Sequence, residues 1–169
     1  MEPVEINAGA YYLRQLRADD LIDDRPALVD AFADADLRRW VTRWRIDDLA
    51  MAGEYVARRA DEWASGERCS WAVAEPATGA LLGEVDLIRR DPEWAVAEAG
   101  CWVGPQARRR GVASAALSAA LRFASAALPL RQVDYLHAPD NVASEHVAGK
   151  CGFVREGLHD GLVLHTLKL

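Results

Sequence analysis

Apolar residues recur every three or four positions in parts of this chain, which is the period of an amphipathic helix. One such stretch has its apolar positions at Leu49, Ala52, Val56, Ala60 and Trp63. Asp47 and Asp48 before it can cap a helix, and Gly66 after it suits a helix C-terminus. A second, alanine-rich stretch runs from about residue 112 to 126, and shorter helices are predicted after Pro26 and over residues 141–150. The pattern therefore predicts four helices.

Seven other stretches are short, rich in β-branched or aromatic residues and bounded by turn residues, which is typical of strands. They cover residues 11–16, 69–75, 80–88, 97–103, 132–137, 153–156 and 162–167. A turn over residues 76–79 makes the second and third strands antiparallel neighbours. Gly104-Pro105 ends the fourth strand because proline has no N–H to donate to a sheet. The expected fold is α/β (α+β), with a curved, mostly antiparallel mixed sheet of six to seven strands and helices on both faces.

Composition and charge narrow the classes of partner. The 169 residues are 51% hydrophobic and 27% charged, which fits one globular domain over residues 1–169. Twenty Lys and Arg against 26 Asp and Glu give a net charge of -6, which disfavours nucleic acid and anionic membranes and favours a cationic partner. No apolar segment reaches the roughly 18 residues of a spanning helix, and the first residues do not resemble a signal peptide. We therefore expect no nucleic-acid and no membrane partner.

The cysteines give a weak indication of the compartment. Cys69, Cys101 and Cys151 are odd in number and far apart, and they show no C-x-x-C spacing. This pattern predicts neither a disulfide framework nor a zinc site, and the sequence indicates no other metal site. A reducing cytoplasm is the simplest location for such a chain.

One loop carries the strongest indication of chemistry, between the fourth strand and the alanine-rich helix. Its residues are Arg108, Arg109, Arg110, Gly111, Val112 and Ala113. A helix N-terminus presents unpaired N–H groups and the positive end of the helix dipole, which suits a pyrophosphate. Gly111 would let the backbone approach such an anion, Ala113 would keep the next turn small, and the arginines would add charge-assisted hydrogen bonds. The alternative is a solvated basic helix start; a Walker A loop is disfavoured because no Gly-Lys-Ser/Thr follows.

The same loop resembles the acetyl-CoA pyrophosphate loop of the GNAT acetyltransferases, whose pattern is Arg/Gln-x-x-Gly-x-Gly/Ala. Residues 98–103 look like the strand before that loop, and residues 140–157 look like the signature of the RimJ/RimL-like branch. The similarity runs from about Tyr11 to the C-terminus. The resemblance implies the GNAT fold with a splayed gap between the fourth and fifth strands. It also implies that acetyl-CoA lies in this gap and that a neutral amine attacks its thioester directly.

By resemblance, cofactor contacts fall on two segments. They are Trp102, Val103, Arg108, Arg109, Arg110, Gly111, Val112, Ala113 and Ser114 in the first, and Asn141 and Ser144 in the second. The backbone N–H of Val103 would meet the acetyl carbonyl, Asn141 would hold the pantetheine arm, and Ser144 would lie near the sulfur. Asn141 and Ser144 can also be a helix cap with its first turn, and spacing alone does not separate the two interpretations.

Two positions depart from the family pattern. Many GNAT enzymes carry a Tyr general acid in the helix after the fifth strand and some carry a Glu general base in that strand. Here these places hold Ala148 and Leu136, so neither role transfers. Ser144 becomes the candidate acid, and His137 is a reserve base.

The hairpin of the third and fourth strands offers carboxylates for the general base. Alternation puts Glu84 and Asp86 on one face, and Glu98 and Gly100 on one face of the partner strand. If the loop centres on Pro92, Asp86 faces Glu98, and such a pair would share a proton or hold a cationic group. We place Glu98 first because its strand also supplies the oxyanion donor. A solvated acidic face is the alternative.

Two of the six tryptophans are candidates for substrate contact. Trp40 and Trp44 lie in the N-terminal helical region that covers the acceptor site in this family, and they could stack on a ligand or cation. Most of the others are expected in the core.

The expected function is acetyl-CoA-dependent N-acetylation of a primary amine, either a protein N-terminus or a small molecule. The missing Tyr and Glu motivate an alternative, a non-catalytic domain that binds or senses CoA. A longer acyl donor such as succinyl-CoA also stays open, as do the acceptor's identity and the choice between monomer and homodimer.

Overall fold

A mixed sheet forms the centre of the structure, a computed structural model that describes residues 2–91, 93 and 95–169. Its strands are β1 (Ile6–Asn7), β2 (Tyr12–Arg14), β3 (Arg68–Ala74), β4 (Leu81–Arg89), β5 (Val96–Val103), β6 (Gln132–His137), β7 (Val154–His159) and β8 (Leu162–Lys168). Their spatial order is β1-β2-β3-β4-β5-β6-β8-β7, and among these described strands β5 and β6 are the parallel pair. The mixed, mostly antiparallel sheet is confirmed. The prediction of six to seven strands was one too low, because the two-residue β1 is too short to show a pattern.

The helices are α1 (Arg25–Ala33), α2 (Ala35–Trp40), α3 (Leu49–Ser65), α4 (Val112–Ala127) and α5 (Val142–Lys150), with a 3-10 helix over Pro105–Ala107. The limits predicted for α3 are confirmed: the Asp48 carboxylate accepts the Met51 N–H at 2.8 Å, and Gly66 ends the helix at φ 70°. The sequence missed α2, because six residues are too few to show helical periodicity. In the described part of the chain, no helix is both long and apolar enough to cross a membrane.

Helices cover both faces of the sheet, as predicted. Alternate residues of β4 point to opposite faces, so Val85 and Leu87 join the core cluster that contains the inner residues of α4. Glu84 and Asp86 point to the other face, where α1 and α3 form a second cluster with Trp102. The sheet therefore has one mainly apolar side and one side on which charged groups lie beneath helices.

The predicted register of the β4–β5 hairpin is wrong. Asp86 lies opposite Gly100, and Glu98 lies opposite Ile88. The loop is set by Asp91, whose carboxylate accepts backbone N–H groups of residues 93, 95 and 96 at 2.9, 3.0 and 2.6 Å. These bonds place the start of β5 so that Asp86 and Glu98 are not direct partners. Pro92, on which the predicted loop was centred, and Trp94 lie outside the described residues.

The predicted gap between the fourth and fifth strands is present between β5 and β6. Their parallel pairing runs from Val96↔Gln132 to Ala99↔Tyr135 and ends there among the described residues. Residues 100–103 of β5 remain paired with β4 but not with β6. The two strands therefore diverge from Gly100 onward, and this opening positions the site.

Candidate active site

Two cavities meet at the divergence of β5 and β6. The β4-side cavity, about 480 Å³, is lined by Glu84, Asp86 and Glu98 among others. The loop-side cavity, about 400 Å³, is lined by Val103, Arg108 and Ala113 among others. Both cavities share the residues Trp40, Val41, Cys101, Trp102, Tyr135, Asn141 and Ser144. A molecule in one cavity can therefore reach a molecule in the other through the gap.

The backbone of the loop before α4 is shaped to receive an anion. Arg109 and Gly111 both have left-handed backbones, with φ 63° and φ 75°. Such conformations turn successive N–H groups toward one side. Gly111 directly precedes α4, whose first turn carries no side-chain cap, and a Cβ at Gly111 would meet no atom within 4 Å. The position that a Cβ at Gly111 would take is therefore open, and the pyrophosphate contact expected from the sequence stays a prediction.

The side chains of the same loop divide into different roles. Arg108 forms an ion pair with Asp34, the cap of α2, and its Nε lies 3.4 Å from the Val103 carbonyl oxygen. The hydrogen bond from Arg108 is the main cause of the lowered pKa of Asp34. Val112 is buried in the core, so only its backbone can face an anion. Arg108 thus fastens the loop to α2, which the sequence could not show because the two residues are far apart along the chain.

The other two loop arginines differ in how they are held. The Arg110 carbonyl accepts the Tyr11 hydroxyl at 2.7 Å, and its guanidinium lies 3.8 Å from Glu75. Arg109 is exposed and forms no ion pair with any described residue. Ser114 uses its carbonyl to contact the Cys151 thiol at 3.6 Å and does not line either cavity. Arg109 is therefore the loop side chain most available to an anion.

The start of α5 combines the two roles that the sequence left open. The Asn141 Oδ1 accepts the Ser144 N–H at 3.1 Å, so the helix-cap interpretation is confirmed. Both side chains also line both cavities. The cap therefore fixes Asn141 and Ser144 where the two cavities meet, at the mouth of the gap. In this position the same residues can also contact a bound molecule.

A hydroxyl that sequence analysis missed lies in the gap between β5 and β6. The Tyr135 Oη lies 3.5 Å from Cys101 Sγ and 3.4 Å from Ser144 Oγ. Burial raises the pKa of Tyr135 well above its usual value, and burial also raises the pKa of Cys101 to about 11. Both groups therefore hold their protons at neutral pH. The sequence showed Tyr135 only as an aromatic strand residue, and the divergence of the strands is what exposes its hydroxyl to the cavities.

Each carboxylate of the β4-side cavity is bonded to an arginine, so the predicted proton-sharing pair does not form. Glu84 is saturated: its Oε1 accepts from Arg59 Nε at 2.7 Å, while its Oε2 accepts from the Tyr55 hydroxyl and from Trp102 Nε1 at 3.0 Å. Burial raises the pKa of Glu84. Glu98 is paired with Arg90 and keeps a partly exposed side chain.

Asp86 has the least saturated carboxylate of the three. Its Oδ2 accepts from Arg68, whereas its buried Oδ1 has no hydrogen-bond partner among the described residues. Oδ1 packs over Gly100, where a Cβ would lie only 2.7 Å away. A side chain at residue 100, where the gap begins, would therefore displace the Asp86 carboxylate on β4.

Trp40 and Trp44 both line the β4-side cavity, as their predicted role requires. The Arg39 guanidinium lies 4.4 Å from the Trp40 ring centroid, and Arg59 lies 5.1 Å from that of Trp44. The tryptophans thus already contact cations of the chain itself.

Comparisons with known proteins agree with this geometry. A family model for the acetyltransferase (GNAT) domain matches residues 11–154. RimJ of Mycobacterium smegmatis, in complex with CoA-disulfide, has a TM-score of 0.83 at 21% identity, covering 98% of this chain and 88% of that one. The ribosomal-protein-S5-alanine acetyltransferase of Vibrio fischeri has a TM-score of 0.81 at 14% identity, covering 98% and 96%.

A third similar structure is RimL, a ribosomal L7/L12 alpha-N-protein acetyltransferase in complex with coenzyme A. Its TM-score is 0.82 at 18% identity, covering 98% of both chains. No curated protein matches the sequence. The fold, the gap and the family model lead to one conclusion: the chain belongs to the GNAT family of acetyltransferases.

Proposed function

We propose that this protein transfers an acetyl group from acetyl-CoA to a primary amine. The observation that carries the proposal is the meeting of the two cavities at the gap, one beside the loop before α4 and one beside the carboxylates. Two of the similar structures, RimJ and RimL, contain forms of CoA, which supports the same donor here.

The residues around the loop-side cavity fit acetyl-CoA. The N–H groups at Gly111 and the first turn of α4 would hold the pyrophosphate, and Arg109 would add charge. The Asn141 side chain would hold the pantetheine arm, and the Val103 N–H would orient the acetyl carbonyl. Bound acetyl-CoA supplies a thioester that an amine can attack.

The shared wall of the cavities supplies a proton for the departing sulfur. Ser144 Oγ–H would donate this proton, and Tyr135 Oη–H would return one to Ser144 across 3.4 Å. Burial raises the pKa of Tyr135, so this hydroxyl carries its proton when turnover begins, and water would reprotonate the tyrosinate that forms. The buried hydroxyl behind Ser144 offsets the weakness of serine as an acid.

Removing either hydroxyl should lower kcat more than it weakens CoA binding, because the contact acts mainly in the transition state. We expect Ser144→Ala and Tyr135→Phe each to reduce kcat about tenfold or more. Steady-state kinetics with calorimetry of CoA binding measures both quantities. Ser118→Ala, on α4, is a matched control, and a parental kcat in both variants would reduce the two residues to structural roles.

For the general base we place Asp86 first and Glu98 second, which changes the order expected from the sequence. Asp86 lies beside Gly100, where β5 leaves β6, and has an unused oxygen; Glu98 lies in the part of β5 still paired with β6. Both carboxylate oxygens of Glu84 already accept hydrogen bonds. We therefore assign Glu84 to the buried ion pair with Arg59.

The charge of the β4-side cavity favours an acceptor that carries an acidic group near its amine. Its lining includes five arginines against three carboxylates, namely Arg39, Arg43, Arg59, Arg68 and Arg90. Arg43 forms no ion pair with any described residue, so it is the arginine free to bind such a group. The overall charge of -6 suggested a cationic partner, but the cavity has the opposite local balance.

The proposal is tested by measuring free thiol release from acetyl-CoA in the presence of an amine panel. The panel should contain peptides and small amines, each with and without a carboxylate or phosphate near the amino group, and mass spectrometry should identify the acetylated product. We expect the acidic acceptors to have the higher kcat/KM, and a parallel series with succinyl-CoA tests the acyl chain. CoA binding without acylation of any amine would favour the non-catalytic alternative.

A further inference from the structure

Three side chains that commonly ligate metals meet next to the gap. His137 ends β6, His165 lies on the neighbouring strand β8, and Glu145 lies in the first turn of α5. The two Nε2 atoms are 3.1 Å apart, and Glu145 Oε2 lies 3.1 Å from the Nε2 of His137 and 3.5 Å from that of His165. Both rings are buried, while Glu145 is partly exposed. None of the three takes part in the proposed transfer.

The three donor atoms are spaced as the ligands of one small ion. Bonds of about 2.0–2.1 Å in a tetrahedral zinc site place the donor atoms about 3.3 Å apart. The observed separations of 3.1, 3.1 and 3.5 Å surround this value. An ion about 2.0 Å from all three atoms would lie slightly outside their plane and keep a fourth position for water.

The hydrogen bonding of the rings leaves the facing nitrogens available. His137 Nδ1 lies 2.8 Å from the Ala138 carbonyl, which can only accept, so this nitrogen carries the proton and Nε2 has a free lone pair. His165 Nδ1 is buried and has no hydrogen-bond partner among the described residues. The second oxygen of Glu145 lies 3.7 Å from Arg155.

We propose that His137, Glu145 and His165 bind one divalent transition-metal ion, with zinc the best match. Two imidazoles and a carboxylate are a common donor set for this ion. The ion would join β6, β8 and α5, and α5 carries Asn141 and Ser144 at the mouth of the gap. Its role is therefore to hold α5 against the diverging strands.

The test is a titration of the tag-free, chelator-treated protein with Zn²⁺ by calorimetry, and with Co²⁺ by visible absorption. We expect one bound ion per chain, a tetrahedral Co²⁺ spectrum, and a rise in melting temperature of about 5–10 °C at a hundredfold excess of Zn²⁺ over Kd. Glu145→Gln and His165→Gln should each weaken binding at least about tenfold, since each removes a ligand.

His146→Gln is the matched control, because His146 is exposed, adjacent to Glu145 and outside the cluster. It should bind both ions as the parent does. If His165→Gln does not fold, Glu145→Gln decides the question, because its side chain reaches solvent. A parent that binds neither ion, or variants that bind as tightly as the parent, would overturn the proposal whatever the acetyltransferase assay shows.

Discussion

Replacing Asp86 with asparagine should lower kcat/KM by about 100- to 10,000-fold, the usual contribution of a general base. The ammonium must lose its proton before the amine can attack. Beside the start of the gap, Asp86 has a carboxylate oxygen with no hydrogen-bond partner among residues 2–91, 93 and 95–169. In the parent, kcat/KM should rise with pH, because the reacting amine must lose its proton. A pH–rate profile of Asp86→Asn beside the parent measures both effects.

Two further variants separate the possible roles of the carboxylates. Glu98→Gln should cost less rate than Asp86→Asn if the order from the structure is right. Glu84→Gln should instead lower the free energy of unfolding by about 3–5 kcal/mol, because it leaves the buried Arg59 without a full partner. Denaturant unfolding measures this loss, and Glu54→Gln, exposed on α3, is the control.

The competing outcome is that a carboxylate only binds the ammonium electrostatically. In that case Asp86→Asn raises KM and leaves kcat unchanged. If all three cavity variants matched the parent in both parameters, the carboxylate hypothesis would fail. His137 or bulk solvent would then be the remaining proton acceptor.

Replacing Gly111 with valine should abolish measurable CoA binding while the fold survives. A Cβ at this position enters open space beside the loop backbone, where the pyrophosphate would approach under the proposed function. The backbone at φ 75° is also strained for a β-branched residue, which shifts the N–H groups. We expect a loss of affinity of about 100-fold or more, equal to about 2.8 kcal/mol.

Calorimetry with CoA measures this loss, and circular dichroism checks the fold. Gly9→Val is the matched control, because Gly9 has φ 77° and equally open surroundings but lies before β2, outside the loop that precedes α4. It should suffer the same backbone strain and keep parental CoA affinity. Unchanged affinity in a folded Gly111→Val protein would contradict the assignment of the loop.

The amino-acid sequence determined the features that depend on neighbours a few residues away. The cap at Asp48 and the left-handed end at Gly66 fix α3, and the loop before α4 was recognisable from Gly111 and its flanking elements. The same holds for most strands, whose turn residues lie at their ends. Such signals involve short separations along the chain, so they can be read without the fold.

Only the tertiary structure decided how distant segments meet. The hydrogen bonds of Asp91 set the β4–β5 register, and with it the partner of Asp86. Tyr135 reaches Ser144 because α5 packs beside β6, and His137 meets His165 because β8 pairs with β6. These contacts depend on how the strands pair across the whole sheet. They join residues that lie far apart along the chain, so no short stretch of sequence predicts them.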